Sequence, residues 1–223
     1  MSVTRIQESL LSRREKSLLI AIAPCLPPWV TPDQLTFFGV FGALLTGISY
    51  VASRYSAWFL WLACLGIVIN WFGDSLDGTL ARARKIERPV YGFFVDHSTD
   101  MMSLAFIYLG LGASPYLKFD AACLILMSYW LMALLTFIRA VATGTFRISY
   151  GWIGPTEIRV ALFLYTVLVF FAGKLELPFV QLTLIDAFAY ALFPVVMISF
   201  GVSVWNEARE LDVETAPNDS ASQ

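Results

Sequence analysis

The chain has 223 residues, of which 58% are hydrophobic and only 14% charged. A soluble domain carries about 25% charged residues, so much of this surface must face something other than water. A mean hydropathy of +0.69 agrees, and a net charge of −2 gives no basic footprint for nucleic acid.

Taken in order, Met1–Lys16 mixes charges without a long apolar stretch, so no cleavable signal peptide is expected. Ser17–Cys25 is apolar but too short to span a bilayer. With Arg13, Arg14 and Lys16 just before it, residues 1–30 read as an amphipathic segment with a helix lying at the membrane interface. Pro27-Pro28 ends it. Thr31-Pro32-Asp33-Gln34 then predicts a helix start, with Thr as N-cap, Pro at the first helical position and Gln at N3. Uncharged runs follow at Gln34–Ser53, Tyr55–Gly73, Met101–Leu117, Ala121–Ile138 and Ala187–Asn206, of 20, 19, 17, 18 and 20 residues. A membrane-spanning helix needs roughly 20 such residues. Val160–Gly173 has 14 and reaches spanning length only with the polar Thr156–Arg159 end. The fold class expected is all-α: a polytopic membrane protein with six transmembrane helices over 31–206, preceded by the interfacial helix. Residues 207–223 are acidic and polar and read as a disordered cytoplasmic tail. Cys25, Cys64 and Cys123 read as small buried hydrophobes rather than a disulfide framework.

Basic residues set the orientation. Six crossings put both termini on one side, together with the loops around 74–100 and 139–159. That side holds Arg5, Arg13, Arg14, Lys16, Arg82, Arg84, Lys85, Arg88, Arg139, Arg147, Arg159 and Arg209, against Arg54, Lys118 and Lys174 on the other. A split of 12 to 3 makes the first side cytoplasmic.

The chemistry lies between the second and third spans. There the chain reads Gly73-Asp74-Ser75-Leu76-Asp77-Gly78-Thr79-Leu80-Ala81-Arg82, then Gly92-Phe93-Phe94-Val95-Asp96-His97-Ser98-Thr99-Asp100. Asp74 and Asp77 are three apart, Asp96 and Asp100 four apart, so each pair lies on one helix face. Two consecutive antiparallel helices would bring the four carboxylates together at the cytoplasmic interface. Four close anions repel unless cations hold them, and hard divalent ions with oxygen ligands, Mg²⁺ or Mn²⁺, suit a site that also takes phosphate. Gly78 and Ala81, lacking bulk on the same side, let a ligand approach the backbone. Arg82 can clamp a phosphate in two-pronged fashion, whereas Arg84, Lys85 and Arg88 read as positive-inside anchors. Arg139 and Arg159 are candidates for an anionic acceptor or lipid phosphate.

The pattern Asp-x2-Asp-Gly-x2-Ala-Arg, a spacer, then Gly-x3-Asp-x3-Asp resembles the signature of the CDP-alcohol phosphotransferases (CDP-alcohol phosphatidyltransferases). Asp74, Asp77, Gly78, Ala81, Arg82, Gly92, Asp96 and Asp100 fill all eight places. The resemblance implies transfer of a phosphoalcohol from a CDP-alcohol donor to an alcohol acceptor with release of CMP, usually making a phospholipid. It implies two divalent cations held by Asp74, Asp77, Asp96 and Asp100, with Asp100 also the general base. It further implies CDP contacts from Asp74, Gly78, Ala81 and Arg82. His97, in an Asp-His-x-x-Asp run similar to the choline/ethanolamine branch, is the second candidate base. The donor is therefore left between CDP-diacylglycerol and CDP-choline or CDP-ethanolamine with diacylglycerol as acceptor. A homodimer is expected from the resemblance and from Gly39, Gly42 and Gly47, which permit close helix contact. An ion-coupled transporter is the remote alternative; its site should sit on broken helices in repeated halves.

Overall fold

The computed structural model describes residues 12–143, 154–178 and 181–215. Among these residues the chain forms α1 (Ser12–Ile22), α2 (Pro32–Ala52), α3 (Phe59–Arg84), α4 (Pro89–Gly112), α5 (Phe119–Thr143), α6 (Pro155–Ala172) and α7 (Leu184–Thr215). No strand is present among them. Five helices are long and apolar enough to cross a membrane: α2, α3, α5, α6 and α7. The sixth expected span lies on α4, which is not among the five; its first half carries Asp96, His97 and Asp100.

The start of α2 follows from its four-residue signature. Gln34 N donates to Thr31 Oγ1 at 3.3 Å and Thr31 N donates to Gln34 Oε1 at 2.9 Å, with Pro32 opening the helix. This helix is the centre of the fold. It packs most heavily on α3 and next on α4, whereas α3 and α4 touch each other little. Small residues make both contacts possible. A Cβ on Gly73 would collide with Gly39 N and Leu35 O, and one on Gly42 would lie 2.5 Å from Asn70 N. On the α4 side, a Cβ on Gly47 or Gly110 would strike the other helix's backbone. Gly39, Gly42 and Gly47 are therefore used inside one chain, which removes them as the reason to expect a dimer.

Tyr50 and Thr166, both almost fully buried, share a hydrogen bond of 2.6 Å that ties α2 to α6 through the main apolar core. At the opposite end from the carboxylates, buried Asp186 accepts from the backbone N–H groups of Lys118 and Thr183, both at 2.8 Å. That joins the start of α5 to the start of α7.

The N-terminal segment is held to the bundle. Leu19 and Ala23 pack with Leu35, Leu76 and Leu80 in a second core, so one face of α1 is buried against α2 and α3. Arg84 serves a structural purpose that the anchor reading did not contain. Its guanidinium donates to the carbonyls of Leu26 (3.1 Å), Pro27 (2.9 Å) and Val30 (2.5 Å), fastening the turn before α2 to the end of α3. Arg88 pairs with Asp33. At the other terminus α7 continues past Asn206 to Thr215, so residues 207–215 of the expected tail are helical. Residues 216–223, together with 1–11 and Arg147, lie outside the described residues.

Candidate active site at the ends of α3 and α4

All eight signature residues stand on two helices. α3 runs unbroken through Asp74, Asp77, Gly78, Ala81 and Arg82, then ends as Lys85 takes a left-handed conformation (φ 56°, ψ 38°). Pro89 opens α4 just afterwards, and Gly92, Asp96, His97 and Asp100 fall in its first half. The short link 85–88 therefore makes the end of one helix and the beginning of the next neighbours. Continuous helices through the carboxylates are the opposite of the broken helices a transporter site would need.

Asp74, Asp96 and Asp100 each present a carboxylate oxygen within 4.8 Å of the other two. Their side chains are half-buried, 20%, 28% and 22% exposed, open enough for a ligand and shielded enough for charge to matter. Arg159 reaches them from α6. Its Nη2 lies 2.8 Å from Asp74 Oδ2 and 3.5 Å from Asp100 Oδ1, bridging a carboxylate of α3 to one of α4. Its Nε donates to Asn70 Oδ1 at 2.9 Å, and Asn70 Nδ2 donates to Gly39 O at 3.0 Å. Asn70 is 2% exposed and stands four residues before Asp74, on the same face of α3. It fixes the guanidinium plane.

Asp77 is handled differently. It is buried, outside the close trio, and accepts from Thr36 Oγ1 at 2.6 Å and from Gly78 N at 2.5 Å. Nothing in the sequence marks Thr36, because 41 positions separate it from its partner. Asn70 did carry a signal: an amide in an apolar run, one helical turn from a motif carboxylate.

Arg82 folds back along its helix. Its Nη2 donates to Thr79 Oγ1 at 3.1 Å, and a Cβ added to Gly78 would meet Nη1 at 3.3 Å. The space beside Gly78 is thus bordered by the guanidinium expected to meet phosphate. His97 packs edge-on against Phe93 and Phe137, with Nδ1 3.9 Å from Asp96 Oδ2. Arg139 lies beside Glu207 of α7, Nε to Oε1 2.9 Å. Of the two arginines proposed for an anionic ligand, Arg159 is thus seen on the carboxylates and Arg139 on Glu207.

The donor set fits hard divalent cations: the three ligand atoms brought together are carboxylate oxygens, and their mutual repulsion calls for a counter-charge beyond the one Arg159 supplies.

Comparison with known proteins gives the same direction. The sequence profile described as CDP-alcohol phosphatidyltransferase matches residues 29–205. Cholinephosphotransferase 1 of Gallus gallus is 27% identical over 160 residues, covering 66% of this chain and 46% of that protein. Cholinephosphotransferase 1 of Homo sapiens is 27% identical over 164 residues, 66% of this chain and 38% of that protein. Archaetidylinositol phosphate synthase of Pyrococcus horikoshii is 28% identical over 123 residues, 55% of this chain and 61% of that protein. The chain spans less than half the length of the cholinephosphotransferases it matches.

Proposed function

The chain belongs to the CDP-alcohol phosphatidyltransferase family, and on that footing we propose that it makes a membrane phospholipid. The reaction is transfer of a phosphoalcohol group from a CDP-alcohol to an acceptor hydroxyl, with release of CMP. One observation carries the reading: the convergence of Asp74, Asp96 and Asp100 around the Arg159 guanidinium at the joined ends of α3 and α4.

Asp74, Asp96 and Asp100, with the lone pairs left on Asp77, would hold two divalent cations, Mg²⁺ or Mn²⁺. Such ions neutralise a diphosphate and polarise its phosphorus. The chain's own groups do the rest. Gly78 and Ala81 leave room for the nucleotide against the backbone of α3, and Arg82 swings from Thr79 onto phosphate. Asp100, one helical turn beyond Asp96, takes the proton of the acceptor hydroxyl as general base. Arg159, anchored by Asn70, holds anionic oxygens of donor or acceptor, and Arg139 is the second such cation.

The donor proposed is CDP-diacylglycerol. A second reading, CDP-choline or CDP-ethanolamine with diacylglycerol as acceptor, is favoured by the Asp96-His97-x-x-Asp100 run and by relatives named cholinephosphotransferase. In that reading His97 competes with Asp100 as the base. Incubating membranes that contain the chain with each radiolabelled donor decides between them. Labelled lipid from CDP-diacylglycerol alone supports the first reading, and from CDP-choline or CDP-ethanolamine alone the second.

We place α4 across the bilayer as a sixth span. Links 85–88 and 113–118 are short, so a chain that leaves α3 on one side and enters α5 on the other has only α4 to carry it. Both termini and the carboxylates then face the cytoplasm. A homodimer rests on the family resemblance alone, since the glycines of α2 are occupied within the chain. Cross-linking in native membranes that traps a dimer supports it, and monomer alone contradicts it.

A further inference from the structure

The Glu15 carboxylate on α1 receives three side-chain donors from two other helices. Trp71 Nε1 lies 2.7 Å and Ser75 Oγ 2.9 Å from Glu15 Oε1, while Thr156 Oγ1 lies 2.8 Å from Oε2. Trp71 and Ser75 are one turn apart on α3, and Ser75 follows Asp74. Thr156 sits in the first turn of α6, three residues before Arg159, and so on the same face. One carboxylate therefore grips the two helices whose side chains meet in the Arg159–Asp74 pair. The grip is firm on the α1 side as well, because Leu19 and Ala23 bury against Leu35, Leu76 and Leu80.

We infer that Glu15 is a positioning residue for the transfer reaction: by bonding Trp71, Ser75 and Thr156 at once, it sets the α3–α6 spacing at which Arg159 reaches Asp74 and Asp100. This rests on the function proposed above. The physical reason is reach. Hydrogen bonds to a charged acceptor are short and about twice as strong as neutral ones, and a misplacement of about 1 Å at a reacting centre can cost roughly 10²-fold in rate. At this end of α6 the other described polar ties to α3 and α4 are those of Arg159 itself, to Asn70, Asp74 and Asp100. Glu15 is thus the link between α3 and α6 that does not run through the reacting carboxylates.

The test uses the full chain in membranes, with two readouts. One is transfer from the productive CDP donor, divided into kcat and KM. The other is the spin-label distance between Ala83→Cys on α3 and Val160→Cys on α6, both exposed positions, in a chain whose Cys25, Cys64 and Cys123 are replaced by Ala. Glu15→Ala is expected to lower kcat at least tenfold and to broaden or shift the distance. Glu15→Gln should restore most of both, since its carbonyl accepts from Trp71 and Ser75 and its amide donates to the Thr156 hydroxyl, the shortfall being the charge assistance alone. Should Glu15→Ala fail to fold, Thr156→Val, which removes one bond of three, takes its place with the same expectations at smaller amplitude. An unchanged distance, an unchanged kcat, or a Gln variant as damaged as Ala overturns the inference. If the unsubstituted protein transfers nothing from any donor, the proposed function fails, and the distance measurement alone still judges the role of Glu15.

Discussion

Replacing Asp100 by Asn keeps the shape and one acceptor oxygen but removes the charge that would take the acceptor's proton. Turnover should fall by on the order of 10²–10⁴, the usual contribution of a general base, while Mg²⁺-dependent binding of the CDP donor largely survives. Asp74→Asn should instead weaken donor binding, because the trio proposed to hold the cations loses one of its three carboxylates. Equilibrium binding alongside initial rates separates the two outcomes. If Asp100→Asn turns over nearly normally and His97→Gln does not, His97 is the base. Arg159→Lys is a sharper probe of geometry than of charge. A lysine keeps the positive charge but lacks the planar fork that meets Asn70, Asp74 and Asp100 together. One lost charge-assisted hydrogen bond, about 1.5–3 kcal/mol, corresponds to a slowing of roughly 10- to 150-fold. A Lys variant with normal rates would mean that the fork is not used.

At the level of helices, the α2–α3 seam is the rigid part. Gly73→Ala would push a methyl group into the backbone of Gly39 and Leu35, where nothing flexible can yield. A cost of about 1–3 kcal/mol is expected for such overpacking, read as a lower midpoint in thermal unfolding. Gly201→Ala meets open space on α7 and should leave the midpoint unchanged or slightly higher. The seam also explains what sequence alone could and could not supply. The capped start of α2, the motif's place on two helix ends and the gathering of three of the four carboxylates expected together, Asp74, Asp96 and Asp100, follow from local periodicity and spacing. The intervening position of α2 does not, because it depends on which glycine rows face each other. Nor does the partnership of Asp77 with Thr36, or of Glu15 with Trp71, Ser75 and Thr156, since each joins residues far apart in the chain. The charge of Arg84 suggests only an anchor in sequence; its bonds to Leu26, Pro27 and Val30 show that local geometry also needs it. The reach of α7 beyond Asn206 was hidden by a polar composition that suits a solvated helix as well as a disordered tail.

For the molecule as a whole, the six-span arrangement proposed above would divide the basic residues of the sequence 12 to 3 between the two faces, and the carboxylates should then meet the cytoplasm. A cysteine at Lys174 should react with a membrane-impermeant thiol reagent on intact cells, and one at Lys85 only after permeabilisation. The reverse pattern would put the site on the outer face. On the proposed function, these carboxylates run a cation-dependent phosphoalcohol transfer. The most direct measurement is CMP released per lipid formed by the purified protein, with Mg²⁺ or Mn²⁺ present and after chelation. One CMP per lipid is predicted, abolished by chelation and by Asp96→Asn. CMP release that persists without divalent cations, or in the Asp96→Asn protein, would contradict it.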